Sequence, residues 1–176
     1  MAILANQNTR VIIQGITGRE ASIFTKDMLD YGTRVVAGVT PGKKGLQVHG
    51  LPVYDTIRQT LKNHQAEASV ISVPPALVKE AVLEAVDNGI QLIVIVSERV
   101  PRKDTIEFLE VAREYNVRII GPNTLGFISP GILKLGMAGG PVADVNKAYM
   151  PGPAGIASRS GGMTTEIANL LTINGI

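Results

Sequence analysis

Short aliphatic runs alternate with amphipathic stretches along the first 121 residues. The runs RVIIQ (10–14), RVVAG (34–38), ASVISV (68–73), QLIVIV (91–96) and VRIIG (117–121) are β-branched and apolar at consecutive positions. Strands covered by helices on both faces have this texture. Between them the spacing predicts helices over 19–31, 55–63, 76–88 and 102–115. The third carries Leu77, Val78, Ala81, Val82, Ala85 and Val86 as one stripe, and the fourth carries Ile106, Leu109 and Ala112 after an opening Pro101. A βα unit recurs roughly every 25 residues, which predicts parallel strands joined by crossover helices. The fold class expected is α/β, a doubly wound, Rossmann-like parallel sheet that collects ligands at the carboxyl ends of its strands.

From Gly121 the texture changes. The stretch GPNTLGFISPGILKLGMAGGPVADVNKAYMPGPAG is crowded with glycine and proline and predicts short strands and a linker. AGIASRSGGMTTEIANLLTINGI then repeats the opening order of strand, Ser/Gly turn and helix. The organisation expected is a ligand-binding domain over 1–122, Gly/Pro-rich strands and linker over 123–153, and the first βα unit of a truncated second domain over 154–176. A lone βα unit cannot bury its own apolar face. The chain therefore reads as a fragment, or as one whose last helix packs on something unusual.

Composition narrows the class. The 176 residues are 45% hydrophobic, 18% charged and 4% aromatic, a soluble globular profile. QLIVIV is soon followed by Glu98 and Arg99, so no apolar stretch approaches a membrane span. The N-terminus lacks a secretory layout, and without cysteine there is no disulfide framework. A cytoplasmic setting is expected, or the mitochondrial matrix in a eukaryote. A net charge of +2 is too balanced to draw nucleic acid by bulk electrostatics. The first 44 residues nevertheless hold six basic side chains against three acidic ones, compatible with a phosphorylated small ligand.

Candidate chemistry begins at the first strand end. A strand, then Gly15-x-x-Gly18-x-x-Ala21, then a helix brings backbone N–H groups to one point, a geometry that suits a phosphate. The same glycines also serve simply to turn the chain. A nicotinamide-dinucleotide site usually has Asp or Glu about 20 residues on, to hold ribose hydroxyls. Here AGVTPGKKG offers Lys43 and Lys44 instead, which favours a ligand with a ribose phosphate over NAD. A solvated lysine pair is the alternative. Pro74–Pro75 ends one strand and either starts a helix or walls an adenine. Ser97–Glu98 ends another and either caps a helix or accepts bonds from the ligand.

Five separated motifs, in order, carry a resemblance: QGITG, AGVTPGKKG, VPP, GPNTLGFISPG and SRSGGMTTE. Together they resemble the α subunit of succinyl-CoA synthetase (succinate–CoA ligase), in register from residue 1 to the end. The resemblance implies a CoA-binding, nucleotide-binding-type domain of a ligase of the tricarboxylic acid cycle. Its cofactor is coenzyme A, and its partner is a nucleotide-binding β subunit. By position, Thr17, Gly18, Arg19 and Glu20 form the phosphate turn and Lys43 meets the CoA phosphates. Val96, Ser97 and Glu98 line a further strand end, with Val73 and Pro74 near the adenine. No metal site is implied. The family's chemistry passes through an acyl phosphate and a phosphohistidine, which the resemblance places beyond Ile176. His49 and His64 match no catalytic position, so this chain alone is expected to bind CoA without turnover. The family's turn usually has glycine at Ala21 and an aromatic residue at Thr165, and these departures leave room for a malate- or citrate–CoA ligase subunit. A stand-alone CoA-binding module is the other alternative, and an NAD-type oxidoreductase a third.

Overall fold

The computed structural model describes residues 4–176. In chain order it runs β1 (Arg10–Gln14), α1 (Arg19–Asp30), β2 (Arg34–Val39), β3 (Gln47–Val48), β4 (Leu51–Tyr54), α2 (Ile57–Leu61) and β5 (Ala68–Ile71). A 3₁₀ turn (Pro75–Leu77) then leads into α3 (Val78–Asp87), β6 (Leu92–Ile95), α4 (Arg102–Glu114) and β7 (Arg118–Ile120). The last part holds β8 (Gly126–Ser129), β9 (Leu133–Gly136), α5 (Val142–Ala148) and α6 (Gly161–Ile173).

Seven strands form one sheet in the order β3-β4-β2-β1-β5-β6-β7, parallel except for the β3–β4 pair. The chain leaves β1 toward β2 on one side and returns to β5 on the other. That reversal is the topological switch point, where neighbouring crossovers diverge and leave a crevice. Alternate residues of β1 serve opposite faces. Val11 and Ile13 pack with Phe24 and Met28 of α1 and with Leu133 and Leu135 of β9. Ile12 joins Ile57, Val82 and Phe108 beneath α2, α3 and α4. The second cover of the first face is thus a hairpin, β8–β9, rather than a helix.

The strand ends opposite the crevice are tied by charge. The Glu67 carboxylate accepts from the Arg10 backbone N–H at 2.7 Å and pairs with its guanidinium, which holds Glu67 below the usual carboxylate range. A buried amide works nearer the crevice. Gln14 donates to the Ala81 carbonyl at 2.9 Å and accepts from the Ser69 hydroxyl at 2.7 Å, joining β1, α3 and β5.

Five departures from the sequence reading have local causes. Between the strand expected at 34–38 and the helix expected at 55–63, where the sequence predicts no element, lies the β3–β4 hairpin, turned by His49 and Gly50, both with positive φ. The α3 stripe buries Val78, Val82, Ala85 and Val86, but Leu77 stays exposed in the preceding 3₁₀ turn. In α4 the buried pair is Phe108 and Ala112, with Ile106 and Leu109 exposed. The linker contains α5, too short to show a period, with Val145 and Ala148 buried. The strand expected near 154–158 does not form, because this segment pairs with no described strand; α6 packs instead on α5, where Thr165 bonds the Tyr149 hydroxyl at 2.9 Å.

Glu84 gives a first prediction. Its carboxylate accepts from Ile57 N–H at 2.8 Å at the start of α2, yet burial pushes its pKa up, partly offset by that bond. A carboxyl raised in the folded state favours folding fully below its unfolded value, and loses that contribution as pH rises through the folded value. Glu84→Gln keeps an acceptor oxygen and removes the charge. It should raise stability at neutral pH by up to about 1 kcal/mol, with the gain shrinking as pH falls through the raised folded value and gone below about pH 4.5. Urea titrations of both proteins across that range check this; a variant less stable at pH 7 would contradict it.

Candidate functional site

The carboxyl ends of β1, β5, β6 and β7 open onto one cleft of about 960 Å³. Its floor is the α1 turn at Gly18–Ala21, then Ser72–Pro75 after β5 and Val96–Arg99 after β6. Asn123–Gly126 and Met137–Gly139 form one wall, and Tyr149 with the start of α6 closes the far side.

The turn at β1 is built by two glycines with different tasks. Gly15 has φ +85° and sits so close to Ser72 that a Cβ would fall 2.1 Å from its carbonyl oxygen. Only glycine fits there. Gly18 has φ −68° and ψ 146°, ordinary for any residue, and caps α1 without a side-chain bond. Its own N–H donates to Gly15 O at 2.9 Å, and the first helical bond is Ser22 N–H to Gly18 O at 2.8 Å. The N–H groups of Arg19, Glu20 and Ala21 therefore precede the helical ladder and have no capping side chain. They stand at the mouth of the cleft where the helix dipole is positive.

A second helix begins at the same space. Ser160 caps α6 by accepting from Met163 N–H at 3.4 Å, and Gly161 and Gly162 line the cleft. Around these two helix starts stand Arg19, Arg99 and Arg159 against Glu20 and Glu98. The cleft suits an anion.

Of the residues singled out in the sequence, Gly18, Arg19, Glu20, Val73, Pro74, Val96, Ser97 and Glu98 all line this cleft. Thr17 and Lys43 do not. The Thr17 hydroxyl donates to that of Thr40 at 3.2 Å, which joins the β1 turn to the end of β2. Lys43 lies three residues on, exposed in a turn whose next N–H, that of Lys44, donates to Asp55 at 3.2 Å. Lys43 thus sits in a turn past the end of β2, outside the cleft lining. The Ser97 hydroxyl caps no helix, since α4 starts after Pro101. It donates to Val73 O at 2.6 Å and accepts from Val73 N–H at 3.1 Å, clasping the ends of β5 and β6. Its proton is spent on that clasp. Pro74–Pro75 starts the 3₁₀ turn before α3 and also lines the cleft. His49 bonds Ser22 and His64 bonds Tyr54, and neither lines the cleft.

Arg99, Asn123, Tyr149 and Arg159 were not singled out. Arg99 has φ +55° just beyond the β6 end, and Asn123 N–H donates to Ser97 O at 3.0 Å. The Ser/Gly turn SRSGG held a signal for Arg159, as a repeat of the opening strand-end order.

Residues 6–99, a span from before β1 to the end of the β6 loop, match the model of the CoA binding domain. The chain belongs to the CoA-binding domain family. Over all its length this chain is 44% identical to the succinate–CoA ligase [ADP-forming] subunit alpha 1 of Archaeoglobus fulgidus, covering 58% of that protein. It is 40% identical over 171 residues to an ADP-forming sulfoacetate-CoA ligase subunit of Acholeplasma sp, covering 97% of this chain and 57% of that one. The resemblance to succinate–CoA ligase α subunits is therefore borne out, and the chain spans a little over half the length of these relatives. Among solved structures it is similar to ATP citrate lyase from Methanothrix soehngenii in complex with citrate and coenzyme A. That likeness has a TM-score of 0.87 at 25% identity, and covers 98% of this chain and 30% of that one.

Proposed function

We propose that this cleft holds coenzyme A and that the chain is the CoA-binding part of the α subunit of a nucleoside-diphosphate-forming acid–CoA ligase of the succinate–CoA ligase type. The observation that carries the reading is the α1 turn: three N–H groups without helical partners, at the switch point, beside a glycine that needs no Cβ-free backbone of its own. They fit the diphosphate of the ligand. Lys43, three residues past Thr40 and outside the cleft lining, is the side chain that the family resemblance assigns to a phosphate on the ribose. Val73 and Pro74 offer an apolar wall to the adenine, as the family resemblance implies.

From β2 to β7 the sheet edge advances four strand spacings, roughly 19 Å. A ligand anchored by its nucleotide at the β1–β2 side therefore sends its tail along the strand ends toward Met137–Gly139 and the start of α6. The cleft is read as positioning CoA, and among the described residues no histidine lines it; the chain is expected not to turn over by itself. A nucleotide-binding β subunit and the phosphohistidine complete the ligase. The relatives' names carry succinate and sulfoacetate, so the acid is a property to be assayed on the whole enzyme.

Calorimetry tests the reading. CoA should bind more tightly than dephospho-CoA, and NADH should not bind, because no carboxylate ends β2. Lys43→Ala should cost CoA about 1.5–3 kcal/mol and erase its advantage over dephospho-CoA. Lys44→Ala should preserve that advantage. Equal affinity of the unaltered chain for CoA and dephospho-CoA would remove the ribose-phosphate contact, and absence of CoA binding would sink the function.

A further inference from the structure

The wall Met137–Gly139 belongs to a segment with little stiffness of its own. Gly136, Gly139 and Gly140 all have positive φ, and glycine confers wide backbone freedom. Two backbone bonds restrain it: Ala138 N–H to Leu125 O at 2.8 Å, and Gly140 N–H to Met137 O at 3.2 Å. A third restraint comes from an unexpected quarter. Lys134 on β9 has no exposed surface, and its ammonium donates to the Gly140 carbonyl. Its backbone is itself held, donating to the Thr33 hydroxyl at 3.1 Å while its carbonyl accepts from that hydroxyl at 2.8 Å. No ion pair within 4.0 Å forms between the ammonium and Asp27 of α1.

A buried lysine is a costly core residue. Burial pushes its pKa down, with Asp27 opposing. Between Leu133 and Leu135, which pack against α1, an apolar side chain would fill the same space without that cost. The contact distinguishing the lysine from such a side chain is the one to Gly140. That carbonyl lies between the cleft wall and Pro141, the cap of α5.

We propose that Lys134 is a positioning residue: by holding the Gly140 carbonyl it sets the Met137–Gly139 wall for the tail of the bound ligand. This rests on the CoA reading above. Lys134 touches no ligand in this account; it acts through the glycine segment.

Lys134→Met preserves volume and removes the donor. Melting curves should show the variant about as stable as the parent. Calorimetry should show CoA bound about tenfold more weakly, while adenosine 3′,5′-bisphosphate, which lacks the pantetheine tail, binds unchanged. A general loosening of the fold would weaken both ligands alike, and that result overturns the proposal, as does unchanged CoA affinity. Should the variant fail to fold, hydrogen exchange on the unaltered chain decides: the Ala138 and Gly140 amides gain protection with CoA but not with the bisphosphate, and equal exchange in all states refutes the role. An unaltered chain that binds the bisphosphate and CoA equally overturns the tail contact alone. One that binds neither overturns the CoA reading itself.

Discussion

Gly15→Val should destabilise the protein severely. The backbone at Gly15 sits at φ +85°, where a β-branched side chain is strained, and the new Cβ would lie 2.1 Å from Ser72 O and 2.9 Å from the carbon behind it. That carbonyl cannot retreat cheaply. Ser72 N–H donates to Gln14 O at 2.9 Å and Gly15 N–H to Val39 O at 2.7 Å, so moving either side opens the junction of β1 with β2 or β5. Left-handed strain of about 1–2 kcal/mol and overpacking of about 1–3 kcal/mol add to the loss of these bonds, for a total of roughly 4 kcal/mol or more. Against a domain stability of about 5–15 kcal/mol this is severe. Chemical denaturation of the two proteins measures it. A variant melting within a few degrees of the parent would show that the turn yields.

Gly18→Val should do the opposite: keep the fold and lose the ligand. The φ and ψ of Gly18 are open to valine, and the nearest backbone atom to its Cβ is Gly15 O at 3.2 Å, a contact relieved by a few tenths of an ångström. Valine is a poor helix cap, so a cost of about 1 kcal/mol is expected. Its methyl groups, however, would stand beside the N–H groups of Arg19, Glu20 and Ala21. Blocking two charge-assisted bonds to a diphosphate should weaken CoA by about 3 kcal/mol, on the order of a hundredfold. A melting curve without ligand and a CoA titration, run together, separate the outcomes. CoA binding at the parent's affinity on an intact fold would return this glycine to a purely structural role.

The sequence made the inner strands legible because each is a continuous apolar run between turn residues. β1 was read at its observed bounds, and β2, β6 and β7 within a residue at each end. β5 stops at Ile71, two residues before its expected end, because Ser72 and Val73 already turn toward Pro74. The outer pair β3–β4 escaped because two and four residues cannot establish alternation, and because a His-Gly turn is a weaker signal than Asn-Gly. The floor of the cleft was legible for a topological reason: parallel strands deliver their ends to one edge, so any residue just past a strand is a candidate. The far wall was not. Tyr149 and Met137 come from segments whose meeting depends on how a hairpin and two helices pack, which no local pattern encodes; for Arg159 the one signal was the SRSGG turn, a repeat of the opening strand-end order.

The clasp of Ser97 on both backbone atoms of Val73, together with the Gln14 amide bridging Ser69 and Ala81, means that the cleft floor is already in its final shape before anything enters. Binding there costs little conformational entropy, because few torsions remain to be frozen. The glycine-rich wall on the far side has fewer ties, two backbone bonds and the Lys134 contact. On the CoA reading proposed above, the head of the ligand meets a finished mould, and its tail meets a wall whose shape hangs on a single buried ammonium.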